Sequence, residues 1–165
     1  MPDAYLLDTN ACSRLWDKLA HDHHEIRRFV QNLSPQSVFV SVVSHAEIEY
    51  GLKTAPQIDA SRQQTVRTAM ATYGTPIAID HHTVEYYSDI RAALFGKYAP
   101  RNARGRINKK WVEDLIEPTT SKQLGIQEND VWIAAVALQR NLVLVSRDRM
   151  SKIQSVEPRL RVAAW

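Results

Sequence analysis

The sequence predicts an α/β fold in which helices cover both faces of a mainly parallel sheet. Two observations lead to this prediction. Short apolar runs of strand length alternate along the chain with longer stretches whose apolar residues recur at helical spacing. The runs at 4–8, 38–42 and 142–145 are nearly continuous, which is typical of parallel strands buried on both faces. A length of 165 residues suits a single domain, 1–165.

The first part of the chain contains two predicted strands, each followed by a predicted helix. Residues 4–8 form an apolar run that ends in an acid, and a helix is expected from about Ala11. Residues 38–42 are rich in β-branched and aromatic side chains, which favours a second strand. Ser44 then opens a helix that extends through Leu52.

The middle of the chain continues the alternation. Apolar residues recur at helical spacing over 59–73, and Pro76 prevents that helix from continuing. Residues 77–79 are predicted to form a third strand. The pattern over 83–95 is again helical, and Gly96 is expected to end this helix.

The last third begins with an interruption. Residues 97–125 contain prolines, glycines and many charges, which predicts a long inserted loop with a short helix around 111–116. Regular patterns return with an alanine-rich helix at 129–139 and strands at 142–145 and 160–164. The predicted sheet therefore has about four to five strands.

Composition narrows the classes of protein to consider. No apolar run approaches the roughly 20 residues that span a bilayer, and the first residues lack the features of a signal peptide, so we expect a cytoplasmic protein with no membrane partner. Cys12 is the only cysteine, which excludes an internal disulfide and a cysteine zinc cluster. The formal charge of +3 permits binding to a polyanion.

Four acidic residues form the main functional signal. Asp8, Glu47, Asp130 and Asp148 each follow a predicted strand or begin a predicted helix. Ligands of open α/β sheets bind at the carboxyl ends of the strands, so the four acids are expected to share one pocket. Clustered carboxylates repel one another, and Mg²⁺ or Mn²⁺ relieves that repulsion and activates water for attack on a phosphodiester.

Each of these acids also has a structural interpretation. Asp8 suits the N-cap of the first helix, and Asp130 lies at the start of a later one. Ser44 and Glu47 match the S-x-x-E capping box. Asp148 follows a strand, where turn acids are common. Their joint placement favours a shared catalytic and metal site over four separate caps.

The segments around the acids resemble the acidic motifs of PIN-domain nucleases, and most closely those of bacterial VapC-type toxins. The resemblance covers most of the chain, and residues 97–125 depart from it. It rests on four segments, which are LLDTN (6–10), SHAEI (44–48), NDVWIAA (129–135) and VLVSRD (143–148).

The resemblance implies a three-layer α/β/α domain that acts as a Mg²⁺- or Mn²⁺-dependent endoribonuclease, the toxin of a type II toxin-antitoxin system. A cognate VapB-like antitoxin would inhibit it, and a homodimer is common among such toxins. Asp8 and Asp130 would be the principal metal ligands, with Glu47 and Asp148 completing the site directly or through water. Two other functions stay open: a housekeeping PIN nuclease in RNA maturation, and a PIN module that binds RNA or protein without catalysis.

Two further acids occur in Asp-His-His triplets, at 22–24 and 80–82. The triplet resembles a motif of another class of metal phosphoesterase, but three letters are unspecific. Asp80 follows a predicted strand, and we favour an N-cap role for it.

Residues 97–110 carry a block of six cations, with Tyr98 and Trp111 at its flanks. Contact with RNA and a solvated loop are both compatible with this pattern. The cations are Lys97, Arg101, Arg104, Arg106, Lys109 and Lys110.

Overall fold

The computed structural model describes residues 3–56, 59–147 and 150–165. These residues form a parallel sheet with helices packed on both faces, which confirms the predicted three-layer α/β architecture. The strands are β1 (Tyr5–Leu7), β2 (Val38–Val40), β3 (Val143–Val145) and β4 (Val162–Ala163). The helices are α1 (Thr9–Trp16), α2 (His23–Gln31), α3 (Val42–Thr54), α4 (Ala60–Ala71), α5 (His81–Tyr98), α6 (Glu128–Gln139) and α7 (Met150–Gln154).

The sheet has the strand order β2-β1-β3-β4, and all its pairings are parallel. Leu7 lies opposite Val40 on one side and Val145 on the other, so the carboxyl ends of three strands meet at one edge. Asp8 is the first residue beyond that edge. Because of this register, an acid that directly follows an apolar strand lies at the carboxyl edge of the sheet.

Alternation along β1 divides the core into two layers. Leu6 faces one side and packs with Leu144 and the buried residues of α5, α6 and α7. Leu7 faces the other side and packs with Val40, Val145 and the apolar residues of α1 to α4. Burial of a leucine-sized side chain contributes about 1.5–3 kcal/mol, so both layers favour the same register.

The prediction of a third strand at 77–79 is wrong. Only Ile77 pairs with the sheet, through a parallel bridge to Ser41. Its backbone N–H donates to the Val40 carbonyl (2.8 Å), and its carbonyl accepts from the Val42 N–H (2.9 Å). Ser41 is the N-cap of α3, so the neighbouring chain turns into a helix and offers no further strand edge.

Helix α5 also differs from its prediction, because it continues past Gly96 to Tyr98. Phe95 and Tyr98 are buried while Gly96 is exposed, so packing of the last turn outweighs the cost of a helical glycine. The helix ends before Pro100, where a following proline disfavours helical backbone.

Residues 97–125 are tied to the core at several points. Within this stretch the predicted helix at 111–116 is a single 3₁₀ turn, Val112–Asp114. Val112 and Leu115 are fully buried against α5 and α6, and Ile126 is buried just beyond the segment. The side-chain oxygen of Asn102 accepts from the backbone of Arg104 and Arg106, which fixes a turn.

No helix in the described part of the chain is long and apolar enough to cross a membrane.

Candidate active site

Asp8 lies where β1 ends and α1 begins. Its backbone N–H donates to the Val145 carbonyl (3.2 Å), which continues the pairing between β1 and β3 by one residue. Its side chain is buried, and Oδ1 accepts from the Ala11 N–H at 2.6 Å. Asp8 therefore is the N-cap of α1, as one of its two sequence interpretations predicted. The cap fixes the carboxylate at the carboxyl edge of two adjacent strands.

Glu47 lies in the second turn of α3. The helix begins at Val42 and its N-cap is Ser41, whose hydroxyl accepts from the Ser44 N–H at 3.0 Å. The predicted helix start at Ser44, and with it the capping box of Ser44 and Glu47, is wrong because the helix starts two residues earlier. Oε2 of Glu47 instead accepts a hydrogen bond from the hydroxyl of Thr9. The Glu47 carboxylate is thus held beside the residue that follows Asp8.

Asp130 lies in the first turn of α6, and its side chain is half-buried. Oδ2 accepts from the backbone N–H of Gln127 (2.8 Å), the N-cap of this helix. Asn129, one residue earlier, lines a groove of about 640 Å³ together with Glu47, Tyr50 and Trp132. The start of α6 and the second turn of α3 therefore border the same groove.

The fourth predicted residue, Asp148, lies outside the described residues. Ser146 is buried, and its backbone N–H donates to the Ala163 carbonyl (3.0 Å), so the pairing between β3 and β4 includes this residue. Arg147, the last described residue before Asp148, binds Trp165 and α2. Its guanidinium donates to the Trp165 carbonyl (2.8 Å), lies 3.8 Å from the centre of the Trp165 ring, and pairs with Asp22.

The described members of the predicted site suit a hard cation by the type of their donor atoms. Asp8, Glu47 and Asp130 offer carboxylate oxygens, the ligands that Mg²⁺ and Mn²⁺ prefer. Cys12 is fully buried, and burial, together with the nearby charge of Asp8, raises the pKa of its thiol well above the usual value. It stays neutral and is a poor metal ligand. Within the described ranges, no three His, Cys, Asp or Glu side chains form a metal-binding group.

Glu47 lines a second groove, of about 360 Å³, between α1, α3 and α4. Thr9 and Asn10 lie on one side of it, and an ion pair between Arg62 and Asp17 crosses it. No local pattern indicates a role for Arg62 and Asp17, because their pairing joins residues 45 positions apart.

The competing acids have structural roles. Asp80 is the N-cap of α5 and forms a capping box with Thr83, which confirms the N-cap interpretation. Hydrogen bonds from the Gln139 amide, helped by backbone N–H groups and Arg140, lower the pKa of Asp80 to about 2. In the other triplet, Asp22 pairs with Arg14 and Arg147, and His23 is buried with its Nδ1 3.0 Å from the Arg14 carbonyl.

The fold is that of an α/β protein in which Asp8 lies at the carboxyl ends of parallel strands and Glu47 is bound to the neighbouring Thr9. Comparison with protein families makes this assignment specific. The model of the PIN domain matches residues 5–154, so the chain belongs to the PIN domain family. The resemblance seen in the sequence motifs is confirmed.

Solved structures similar to this chain include VapBC complexes. VapBC2 from Rickettsia felis, bound to a DNA fragment from their promoter, is 20% identical, with 98% of both chains covered and a TM-score of 0.67. FitAcB from Neisseria gonorrhoeae is 20% identical over 96% of this chain and 95% of that chain, with a TM-score of 0.63. DNA-bound VapBC from Salmonella typhimurium is 19% identical over 99% of both chains, with a TM-score of 0.60. A comparison with curated proteins gives no significant match.

Proposed function

We propose that this protein is a metal-dependent endoribonuclease and the toxin component of a type II toxin-antitoxin system. The observation that carries the proposal is the hydrogen bond from Thr9 to Glu47. It joins an acid on α3 to the residue beside Asp8, although the two acids are far apart in sequence. Membership of the PIN domain family supports a nuclease.

The proposed metal site consists of Asp8 and Asp130 as principal ligands, with Glu47 and Asp148 completing it directly or through water. A bound Mg²⁺ or Mn²⁺ would offset the charge of the carboxylates and lower the pKa of a coordinated water. Carboxylate oxygens fit such an ion, as the donor set of Asp8, Glu47 and Asp130 indicates.

Backbone and side-chain donors around the acids would hold the carboxylates in position. The Ala11 N–H holds one oxygen of Asp8, and the Gln127 N–H holds one oxygen of Asp130. The Thr9 hydroxyl occupies Oε2 of Glu47, which leaves Oε1 to accept a hydrogen bond from the attacking water. Attack of the water oxygen on phosphorus, with cleavage of the bond to the 3′-oxygen and net transfer of a proton from the water to that oxygen, would leave a 5′-phosphate and a 3′-hydroxyl.

A VapB-like antitoxin is the proposed protein partner. The similar structures from Rickettsia felis and Salmonella typhimurium are VapBC complexes, which supports this assignment. We further propose a homodimer that acts on cytoplasmic RNA. Co-expression with the protein encoded next to this chain's gene, followed by size measurement of the purified species, tests both the antitoxin and the homodimer.

Cleavage of RNA with Mg²⁺ or Mn²⁺ tests the enzyme directly. Wild type should cut, whereas Asp8→Asn, Asp130→Asn and Glu47→Gln should each lose most activity, and EDTA should abolish it. Asp80→Asn is the matched control, because this acid also follows the sheet region but serves as a helix cap. Equal cleavage by wild type and the Asp8 and Asp130 variants would overturn the proposal.

Two experiments separate the alternatives. Growth arrest on expression, relieved by the neighbouring gene product and absent with Asp8→Asn, would favour a toxin over a housekeeping nuclease. Calorimetry with Mn²⁺ separates an enzyme from an inactive binding module, since a module without catalysis would show no binding that depends on Asp8 and Asp130.

A further inference from the structure

The cations of residues 97–110 differ from most others in the molecule, because none of them pairs with a described carboxylate. Unpaired cations keep their full attraction for an external polyanion, since no internal counter-charge competes. The residues concerned are Lys97, Arg101, Arg104, Arg106, Lys109 and Lys110.

Part of this block lines a groove of about 500 Å³ along α5. Lys109 and Lys110 form one wall with Ile107, and Tyr87 and Arg91 of α5 form the other. Arg91 joins the two walls, because its guanidinium donates to the Lys110 carbonyl at 2.9 Å. The same guanidinium lies 4.9 Å from the centre of the Phe95 ring, within α5. The lysines are therefore carried on backbone that is anchored to a helix.

An aromatic side chain stands beside the cations. Trp111 is 54% exposed, and the Lys110 ammonium lies 4.9 Å from its ring centre. An exposed tryptophan next to unpaired lysines offers a stacking face for a base and positive charge for its phosphates. A base within a duplex is already stacked, so this combination favours an unpaired strand.

The groove adjoins the start of α6. Tyr87 donates its hydroxyl to Glu128, and Arg91 pairs with the same carboxylate at 3.1 Å. Tyr87 also stacks on Trp132, with ring centres 3.7 Å apart and planes 10° apart. Trp132 in turn lines the groove that contains Glu47 and Asn129. The stacked pair of Tyr87 and Trp132 therefore separates the basic groove from the groove that contains Glu47.

Three nearby acids form their contacts with groups other than the lysines. Glu128 is engaged by Tyr87 and Arg91, and Glu113 accepts from the Glu128 backbone N–H at 2.9 Å. Glu117 pairs with Lys152. These carboxylates thus hold the segment in place.

We propose that this groove, with Lys109, Lys110 and Trp111, binds a single-stranded segment of the RNA substrate beside the cleavage site. The proposal rests on the proposed endoribonuclease function and assigns a substrate-binding surface to a segment outside the acidic motifs. The lysines would contact phosphates, and Trp111 would stack on one base.

Fluorescence anisotropy in EDTA tests binding without cleavage. The probe is a labelled single-stranded RNA of about 12 nucleotides, within the range of single-strand binding sites. Lys109→Ala/Lys110→Ala should weaken binding and reduce the slope of log affinity against log salt by about 0.7 for each phosphate that the variant no longer neutralises. Trp111→Ala should weaken binding about tenfold with the salt slope unchanged, and Trp111→Phe should recover most of the affinity.

Arg27→Ala/Arg28→Ala is the matched control, because it removes two exposed cations from α2, on the opposite face of the sheet. Equal reductions of affinity in the control and lysine variants, unchanged affinity in Trp111→Ala, or equally tight binding of a duplex of the same sequence would each overturn the proposal. These binding measurements need no metal, whereas the cleavage assay does. Failure of the proposed binding groove can therefore be distinguished from failure of the proposed nuclease activity.

Discussion

The hydroxyl of Thr9 donates a hydrogen bond to Oε2 of Glu47, across 38 positions of sequence. Thr9 begins α1 directly after Asp8, and Glu47 lies in the second turn of α3. A carboxylate on a flexible glutamate side chain is thereby fixed relative to the sheet edge. In metal sites such supporting hydrogen bonds orient the ligands and commonly affect affinity or activity about 10- to 100-fold.

We therefore expect Thr9→Val to lower kcat/KM for RNA cleavage by about 10- to 100-fold. Valine keeps the shape of threonine and removes only the hydroxyl. Thr9→Ser restores the donor and should stay within a few-fold of wild type, while thermal unfolding of both variants should change little. Reductions of the same size in Thr9→Val and Thr9→Ser would show that the hydroxyl is not what matters.

Asp8 combines a cap and a proposed metal ligand, and two substitutions separate these roles. Asparagine is as good an N-cap as aspartate, so Asp8→Asn should keep the free energy of unfolding close to wild type while abolishing Mn²⁺ binding and cleavage. Asp8→Ala removes the cap as well and should cost about 1 kcal/mol more. Urea unfolding and Mn²⁺ calorimetry measure the two effects. Full Mn²⁺ affinity in Asp8→Asn would argue against Asp8 as a ligand.

The sequence predicted the parts of this fold that local chemistry determines. The run that ends at Asp8 indicates both a buried strand and a helix cap, and both are present. The start of α3 was misplaced because Ser41 and Ser44 are equally good caps by type, and only the bridge from Ser41 to Ile77 selects the earlier one. The hydrogen bond of Thr9 with Glu47 depends on packing between helices, which no local pattern encodes.

Asp80 should contribute to acid stability. Its pKa in the folded protein is about 2, below the ordinary value of 3.8, chiefly because the Gln139 amide stabilises the ionised form. Because the pKa of Asp80 is lower in the folded protein, its carboxylate stabilises the folded state at any pH above the ordinary pKa of 3.8. This contribution is lost as the pH falls from about 4 through about 2. Asp80→Asn should therefore lose stability at pH 7 and show a shallower fall over this pH range.

The measurement is the urea midpoint of wild type and Asp80→Asn at neutral pH and at about pH 2.5. Asp59→Asn, at the cap of α4, is the control because it also keeps a capping oxygen. If the difference between wild type and Asp80→Asn did not shrink on acidification, the lowered pKa would not be a source of stability.

Arg147 is expected to stabilise the packing of Trp165 next to α2. It contacts the ring and carbonyl of Trp165 and pairs with Asp22 and Glu25. Arg147→Ala should lower the free energy of unfolding by about 1–2 kcal/mol, and Arg147→Lys should recover only part, because an ammonium lacks the planar guanidinium that stacks on the ring while it donates to separate acceptors. Arg27→Ala, an exposed cation on α2, should change stability by less than about 0.5 kcal/mol. Urea unfolding compares the three variants.

Substitution of Leu115 tests whether the segment between α5 and α6 contributes to the hydrophobic core or is a loop that could be removed without loss of stability. Its side chain is fully buried with Val112, and its backbone accepts from the Leu124 N–H at 3.0 Å, which closes the turn behind it. Leu115→Ala should therefore cost about 2–5 kcal/mol, as for leucines in tightly packed cores.

Leu19→Ala provides the matched control, because Leu19 is 79% exposed and the same atoms are removed. It should change the free energy of unfolding by less than about 0.5 kcal/mol. Equal, small effects in both variants would mean that residues 97–125 unfold without disturbing the core. A large effect confined to Leu115→Ala would mean that the lysines and Trp111 are displayed on a fixed surface, as binding by the proposed groove requires.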